Sequence, residues 1–364
     1  MANYETTSQE AIDNFQTYDE EVQKAVESFV SEKFTADQAV TIGEFTSVEE
    51  AQADKTANVV VIKLPEGVDA ATFQFDDSDL DNSVDGRIYI FEGTDGVSAV
   101  FNTVDRVIVG TEGDDEFVVN GDRNTTVEGG LGNDTITTSG GDDIIYGGAD
   151  NDVISSGEGN DSVFGGQGTD TVSFTGNQSD YSIEQNGAIT VVTNTVTGSV
   201  SQIVNSESLV FADGNMAIEQ SAEVSALVTL YNQMFSGTEA REGGQADLVG
   251  LQYWSNEVDN GLSLGGAVRW MLSGEESGEA LVGLDLTVAE DRTTVVETLF
   301  TNVLGRDADA DELASWTARI EDGTSIEDVA QSLVETDEFQ NNLVDADDQD
   351  FMLTDPTNGT DFFI

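Results

Sequence analysis

The apolar positions of this 364-residue chain change their spacing twice. Between Ser8 and Phe34, Ile12, Phe15, Val22, Val26, Phe29, Val30 and Phe34 recur every three or four residues. That spacing predicts core-facing helix, with Thr17 and Glu20 as a capping box between two segments. From Asn58 the texture becomes β, with VVVIKLP at 59–65, ATFQF at 71–75, GRIYIFEG at 86–93 and VSAVF at 97–101. These runs, bounded by turn residues, predict a small antiparallel sheet. Further strands are expected over 174–214, and from Ala222 the helical period returns.

Between the two β stretches the period is nine. Residues 129–173 divide into five blocks: GGLGNDTIT, TSGGDDIIY, GGADNDVIS, SGEGNDSVF and GGQGTDTVS. Asp134, Asp143, Asp152, Asp161 and Asp170 hold the sixth place, and Ile136, Ile145, Ile154, Val163 and Val172 the eighth. The glycines at the front of each block permit a sharp turn, and the β-branched end favours a short strand. Two blocks make one coil of a parallel β-roll, and eighth-place side chains of successive coils stack into a core that no single block could bury. The sixth-place carboxylates then form two columns, with like charges about 5 Å apart in neighbouring coils.

Such columns repel one another unless a cation lies between them. The ligands on offer are hard oxygens, carboxylate and glycine carbonyl, which suit calcium with its about six to eight flexible ligands. Zinc is a poor match because the chain contains neither His nor Cys. The natural carboxylate pairs are Asp134 with Asp152, Asp143 with Asp161, and Asp152 with Asp170, for about three ions and weaker ones at the ends. The expected site residues besides these aspartates are Gly129, Gly130, Gly132, Gly141, Gly147, Gly148, Asp150, Gly157, Gly159, Gly165, Gly166 and Gly168. Upstream, GTEGDDEFV at 110–118 adds Asp115, whereas the next block at 120–128 has Thr125 where Asp belongs and lies one residue out of phase. A weak or empty site is expected there. Asp150 stands where the third block should have glycine, and either adds a carboxylate or strains the turn. Asp77, Asp79 and Asp81 alternate in an acidic loop that offers a weaker site, without the central glycine and final Glu of an EF-hand.

The blocks resemble the hemolysin-type calcium-binding nonapeptides of RTX proteins, GGxGxDxUx. The segment 174–214, with Asp180-Tyr181-Ser182-Ile183 and Leu209 to Gly214, is similar to the part that closes the roll in serralysin-type RTX proteases. Downstream, Leu230-Tyr231, Tyr253-Trp254, Gly261 and Ser263 are echoed by Leu299-Phe300, Ser315-Trp316, Gly323 and Ser325. Each Gly suits a helix C-terminus and each Ser the cap of the next helix, and the tryptophans are expected in the core. The second copy resembles the helical domain of unknown function carried by bacterial RTX surface and S-layer proteins. The first copy lacks the Gly305-Arg306-Asp307 element. The C-terminal Asp361-Phe362-Phe363-Ile364 resembles the uncleaved export signal of type I secretion substrates. That resemblance implies the type I secretion machinery as a partner and an extracellular or cell-surface location.

Charge narrows the partners. With 72 acidic against 12 basic residues the net charge is −60, which disfavours nucleic acid and anionic membranes and favours a chain that compacts when calcium binds. The acidic N-terminus lacks the basic and apolar regions of a secretory signal, and no apolar run is long enough to span a bilayer. Absence of cysteine leaves the redox compartment unread. Without His neither a zinc-protease motif nor a serine-hydrolase triad is possible, so Gly261-Leu262-Ser263-Leu264-Gly265 reads as a helix cap. No cleft domain for a carboxylate-pair glycosidase is evident, and no enzyme activity is expected.

The expected fold is α+β and multidomain: a calcium-binding parallel β-roll flanked by an N-terminal α+β cap and a C-terminal all-α domain. Its pieces are the cap at 1–109 (helices 8–34, strands 58–109), the roll at 110–173, a β cap at 174–216, a two-copy helical domain at 217–344, and the export signal at 345–364. The expected function is that of a secreted calcium-binding structural protein, self-associating or bound to another surface protein. A calcium-dependent adhesin binding cell-surface glycan is the alternative, and a secreted hydrolase stands behind both.

Overall fold

The computed structural model describes residues 2–15, 26, 30, 34, 39–54, 56–63, 72–76, 87–102, 106–235, 248–274, 277 and 280–342. Two compact units emerge, one from residues up to 185 together with 190–219, the other from 186–189 together with 220 onwards.

The first unit opens with β1 (Ala2–Thr7), α1 (Ser8–Asn14), β2 (Ala39–Phe45), α2 (Val48–Ala53), β3 (Val59–Lys63), β4 (Thr72–Asp76), β5 (Arg87–Glu92), β6 (Ser98–Asn102), β7 (Arg106–Val109) and β8 (Glu116–Asn120). The repeats supply β9 (Thr125–Gly130), β10 (Thr135–Thr137), β11 (Ile144–Gly148), β12 (Val153–Ser155), β13 (Asn160–Gly166) and β14 (Thr171–Ser173). After them come β15 (Tyr181–Asn186), β16 (Ile189–Asn194), β17 (Val200–Val204), β18 (Ser208–Phe211) and β19 (Gly214–Ala217). The strands form two sheets, of order β1-β2-β3-β5-β7-β9-β11-β13-β17-β16-β15 and β19-β18-β14-β12-β10-β8-β6-β4, and from β3 to β14 successive strands alternate between them.

The antiparallel sheet expected over 58–109 is not what forms. β2, β3, β5, β7 and β9 pair in parallel, as do β4, β6, β8 and β10, so the roll begins well before its first nonapeptide. From β3 onward each connection up to β14 crosses to the opposite sheet, and a strand that leaves its sheet returns one coil later beside its predecessor, pointing the same way. Antiparallel pairing is confined to the ends, between β1 and β2, β16 and β17, and β18 and β19. β1 lies where no strand was expected. Of the predicted N-terminal helix, Phe15, Val26 and Val30 are buried, and most of 16–33, the capping box included, lies outside the described residues.

One core runs between the sheets. In the early coils it is aromatic, with Phe75 stacked on Phe101 at 5.1 Å and against Tyr89 at 4.6 Å, and Phe91 5.8 Å from Phe117. From Val127 it narrows to the eighth-place residues, Ile136, Ile145, Ile154, Val163 and Val172, all buried. Their register is direct: Ile136 lies between Phe117 and Ile154, and Ile145 between Val127 and Val163. Phe174, Tyr181 and Phe211 then widen it again, their centroids 5.1 to 5.4 Å apart.

The second unit is helical: α3 (Ala222–Phe235), α4 (Leu248–Asp259), α5 (Leu264–Met271), α6 (Ala289–Leu304), α7 (Ala310–Glu321), α8 (Ile326–Val334) and α9 (Asp337–Asn342). Ser263 and Ser325 cap α5 and α8, each accepting the amide three residues on. Gly261 and Gly323 sit just before them with φ of +101° and +102°. The Gly-rich start of α5 serves helix packing: Gly265 donates to Gln331 Oε1, Ser263 donates to Glu327 Oε1, and a Cβ on Gly265 would strike the Glu327 carbonyl. The tryptophans are not core, contrary to expectation: Trp270 is 58% exposed and Trp254 and Trp316 are half-buried, with Arg319 4.4 Å over the Trp316 ring. An indole can cover helix surface with its flat face and leave its edge wet.

Candidate metal centre

The glycine turns of the repeats place their aspartates in two columns along the edges of the roll. On one edge stand Asp115, Asp134, Asp152 and Asp170, on the other Asp143 and Asp161, and all six are nearly fully buried. Second- and fourth-place residues supply the sharp backbone, with φ of +107° at Gly130, +97° at Gly132 and +112° at Gly148. Asp150 takes the same left-handed conformation at +71°, which costs a residue other than glycine, and its charge acts on the neighbouring Asp152 from an exposed position.

Five of the six carboxylates, all but Asp115, are held by one oxygen. The amide of Asp115 donates to Asp134 Oδ1 at 2.7 Å, that of Asp134 to Asp152 Oδ1 at 2.7 Å, and that of Asp152 to Asp170 Oδ1 at 2.9 Å. On the opposite edge Thr125 donates to Asp143 Oδ1 at 2.8 Å and Asp143 to Asp161 Oδ1 at 3.1 Å. The pairs expected from the repeat are thus adjacent in the columns. Thr125 lies in register with Asp143 and has no carboxylate to add.

The second oxygen is different. Oδ2 of Asp134, Asp143, Asp152, Asp161 and Asp170 is buried without a hydrogen-bond partner. An orphaned buried acceptor is costly, and five in one register point to a missing positive charge. Asp115 departs from the set, since Thr111 occupies its Oδ2 through the backbone amide at 2.7 Å. At Gly129 and Gly147 an added Cβ would strike both the Oδ2 of the block's own aspartate and the carbonyl of the next first-place glycine, Gly147 or Gly165. Carboxylate and carbonyl oxygens therefore crowd the same small space. On the second edge the first-place hydroxyls of Thr138 and Ser156 stand beside Asp143 and Asp161.

The electrostatics agree. Burial, reinforced by neighbouring carboxylates, pushes Asp134 up to about 9 and Asp170 up to about 8. Burial likewise raises Asp143 and Asp152 to about 7 and Asp161 to about 6. Among the described residues no group of three or more acidic side chains forms a metal cluster. Each step of a column brings together two carboxylates and a glycine carbonyl. A hard-oxygen donor set with orphaned carboxylate oxygens fits calcium. Asp77, Asp79 and Asp81 lie outside the described residues.

Two features escaped the sequence reading. Fifth-place side chains form their own ladder, running against the sixth-place one: Asn133 donates its amide to Asp114 Oδ1, Asn151 to Asn133 Oδ1 and Thr169 to Asn151 Oδ1, at 2.7, 3.3 and 2.9 Å. Asp142 and Asn160 do the same on the other edge, donating to Asn124 and Asp142. The signal was Asn or Asp in fifth place in four of the five blocks. The other is Glu207, outside any block, which accepts the Asp170 amide at 2.7 Å.

No helix among the described residues is long and apolar enough to cross a membrane. No curated protein and no solved structure matches the chain. Family models do match two parts of it: the RTX calcium-binding nonapeptide repeat (4 copies) at 119–154 and 137–172, and the Domain of unknown function (DUF4214) at 288–343. The orphaned aspartates thus belong to RTX repeats that bind calcium, and the second helical copy belongs to a DUF4214 domain.

Proposed function

We propose that this is a secreted, non-catalytic structural protein whose roll is completed by calcium outside the cell and which then assembles at the cell surface or in the extracellular matrix. The observation that carries the proposal is the set of five buried, unpartnered Oδ2 atoms in register. In this reading Asp134 with Asp152, Asp143 with Asp161, and Asp152 with Asp170 hold the ions, together with carbonyls of the glycine turns. With extracellular-type affinities of about 10⁻⁴ to 10⁻³ M, tenfold excess calcium adds about 1.4 kcal/mol per site. Several sites together make the ion decide whether the roll is folded. A chain of net charge −60 also repels its own copies until divalent ions bridge acidic faces, which favours calcium-dependent assembly in an S-layer-like lattice or filament. Electron microscopy of the purified protein with and without calcium tests this. Ordered sheets, tubes or filaments only with calcium support assembly, and monodisperse particles under both conditions overturn it.

A second reading, a calcium-dependent adhesin that binds cell-surface glycan, is favoured by the aromatic side chains of the helical unit, with Tyr253 56% and Trp270 58% exposed. Glycan binding by the full chain that disappears in Trp254→Ala and Trp270→Ala variants would favour it over self-assembly alone.

A further inference from the structure

The first carboxylate column does not end where the nonapeptides end. β14 pairs with β18 in parallel, with Thr171 opposite Ser208 and Val172 opposite Leu209, so Glu207 precedes its strand as Asp170 precedes its own. Its Oε2 accepts the Asp170 amide at 2.7 Å, the hydrogen bond that a sixth-place Oδ1 makes in every earlier coil of the column. On the other sheet Phe164 lies opposite Val204. The turn between the two sheets is therefore three residues, Asn205 to Glu207, where the repeat uses six, Gly165 to Asp170. In the shorter turn the extra methylene of Glu carries the carboxylate to the position an Asp holds in the longer one.

The carbonyl is replaced as well. A Cβ on Gly165 would strike Asp170 Oδ2 and the Asn205 carbonyl, as one on Gly147 would strike Asp152 Oδ2 and the Gly165 carbonyl. Asn205 presents that carbonyl with φ of +47°, in the left-handed region used by the repeat glycines. Asp170 is fully buried and its Oδ2 has no partner, and the buried hydroxyl of Ser206 in the same turn also has none.

We infer that Asp170 Oδ2, the Asn205 carbonyl and the Glu207 carboxylate form a further calcium site closing the first column, outside the nonapeptide blocks. It rests on the calcium-binding reading of the roll and extends it to a coil with no repeat signature. Because this coil carries β17 and β18, the ion would tie the end of the roll to the last repeat.

The test is calcium stoichiometry by equilibrium dialysis, with isothermal titration for affinity. Glu207→Gln keeps the length and an oxygen for the Asp170 amide but removes the charge. The expected result is one fewer ion per chain, or one site weakened at least tenfold, with the other sites intact. Asp143→Asn, on the opposite column, should reduce the count independently, and the double variant should show both losses. An unchanged count and unchanged affinities in Glu207→Gln, while the wild type binds calcium, overturn this inference alone. A wild type that binds no calcium overturns the roll reading beneath it. Should Glu207→Gln fail to fold, an anomalous difference map of wild-type crystals grown in calcium decides: a peak between Asp170 and Glu207 supports the site, and peaks confined to the repeats reject it.

Discussion

A buried aspartate with one satisfied and one orphaned oxygen is relieved either by a proton or by calcium, and the two compete for it. Without metal the column carboxyls have folded pKa values of about 6 to 9 against 3.8 for the ordinary side chain. The unfolded chain then gives up its protons first. The metal-free roll is most stable below about pH 4 and loses stability as pH rises through those folded values. Calcium holds the ionised form, so the calcium-bound roll escapes that loss: its stability is level above the ordinary carboxylate range and falls only as pH drops through it. From about pH 5 to 9, melting temperature should therefore fall with rising pH in chelator and stay level in millimolar calcium, and parallel slopes would remove the metal from the account. Asp152→Asn, in the middle of its column, is expected to melt higher than wild type in chelator and lower in calcium. The change is about 1–3 kcal/mol each way, since it removes a buried charge that only the metal compensates. Gly147→Ala forces a Cβ onto Asp152 Oδ2 and the Gly165 carbonyl. A calcium titration followed by circular dichroism should show its midpoint moved to higher calcium, with about 1–3 kcal/mol of overpacking added.

At the scale of elements the roll has two kinds of coil. Those built from β3 to β8 are filled by Phe73, Phe75, Tyr89, Phe91, Phe101 and Phe117, and Arg87 is satisfied by Asp54 at 3.0 Å and by the Ala57 carbonyl. Those built from β9 to β14 have single aliphatic side chains between the sheets, beside the buried Tyr146–Phe164 stack, and bear the orphaned carboxylates. At about 25 cal/mol per Å² the larger aromatic core gives the first kind more apolar stabilisation, and the second kind carries buried carboxylates that oppose folding without metal. Hydrogen exchange in chelator should leave amides of β3, β5 and β6 protected while those of 128–173 exchange. Uniform protection throughout would contradict the division. In the helical unit Arg306 forms a two-pronged pair with Glu312 at 2.9 Å and also reaches Glu338, and its guanidinium holds the Glu312 carboxyl at about 2, well below the usual carboxylate range. The group is part-exposed, so Arg306→Lys, which loses the fork, is expected to lower the helical unit's stability by only about 1 kcal/mol in a denaturant melt.

For the whole molecule, 72 acidic residues make charge the dominant long-range force. Monovalent salt shortens the screening length to about 10 Å at 0.1 M and so relieves general repulsion, but it does not satisfy a buried oxygen. Sodium chloride in chelator should raise the melting temperature modestly, and millimolar calcium at constant ionic strength should raise it well beyond that. Equal effects at equal ionic strength would reduce the role of calcium to screening.

The nine-residue register, the choice of a hard cation and the facing of the eighth-place residues followed from the sequence alone, because a strict repeat repeats its geometry and leaves few ways to stack. The parallel course of β2 to β8 did not, since apolar strands of that kind read the same in a meander as in a coil. Only the return of each strand beside its predecessor distinguishes them. Nor was Glu207 legible as the successor of Asp170, for it is neither an aspartate nor in phase. A shortened turn brought it there, and which backbone amide a carboxylate reaches across a turn is decided by the folded chain.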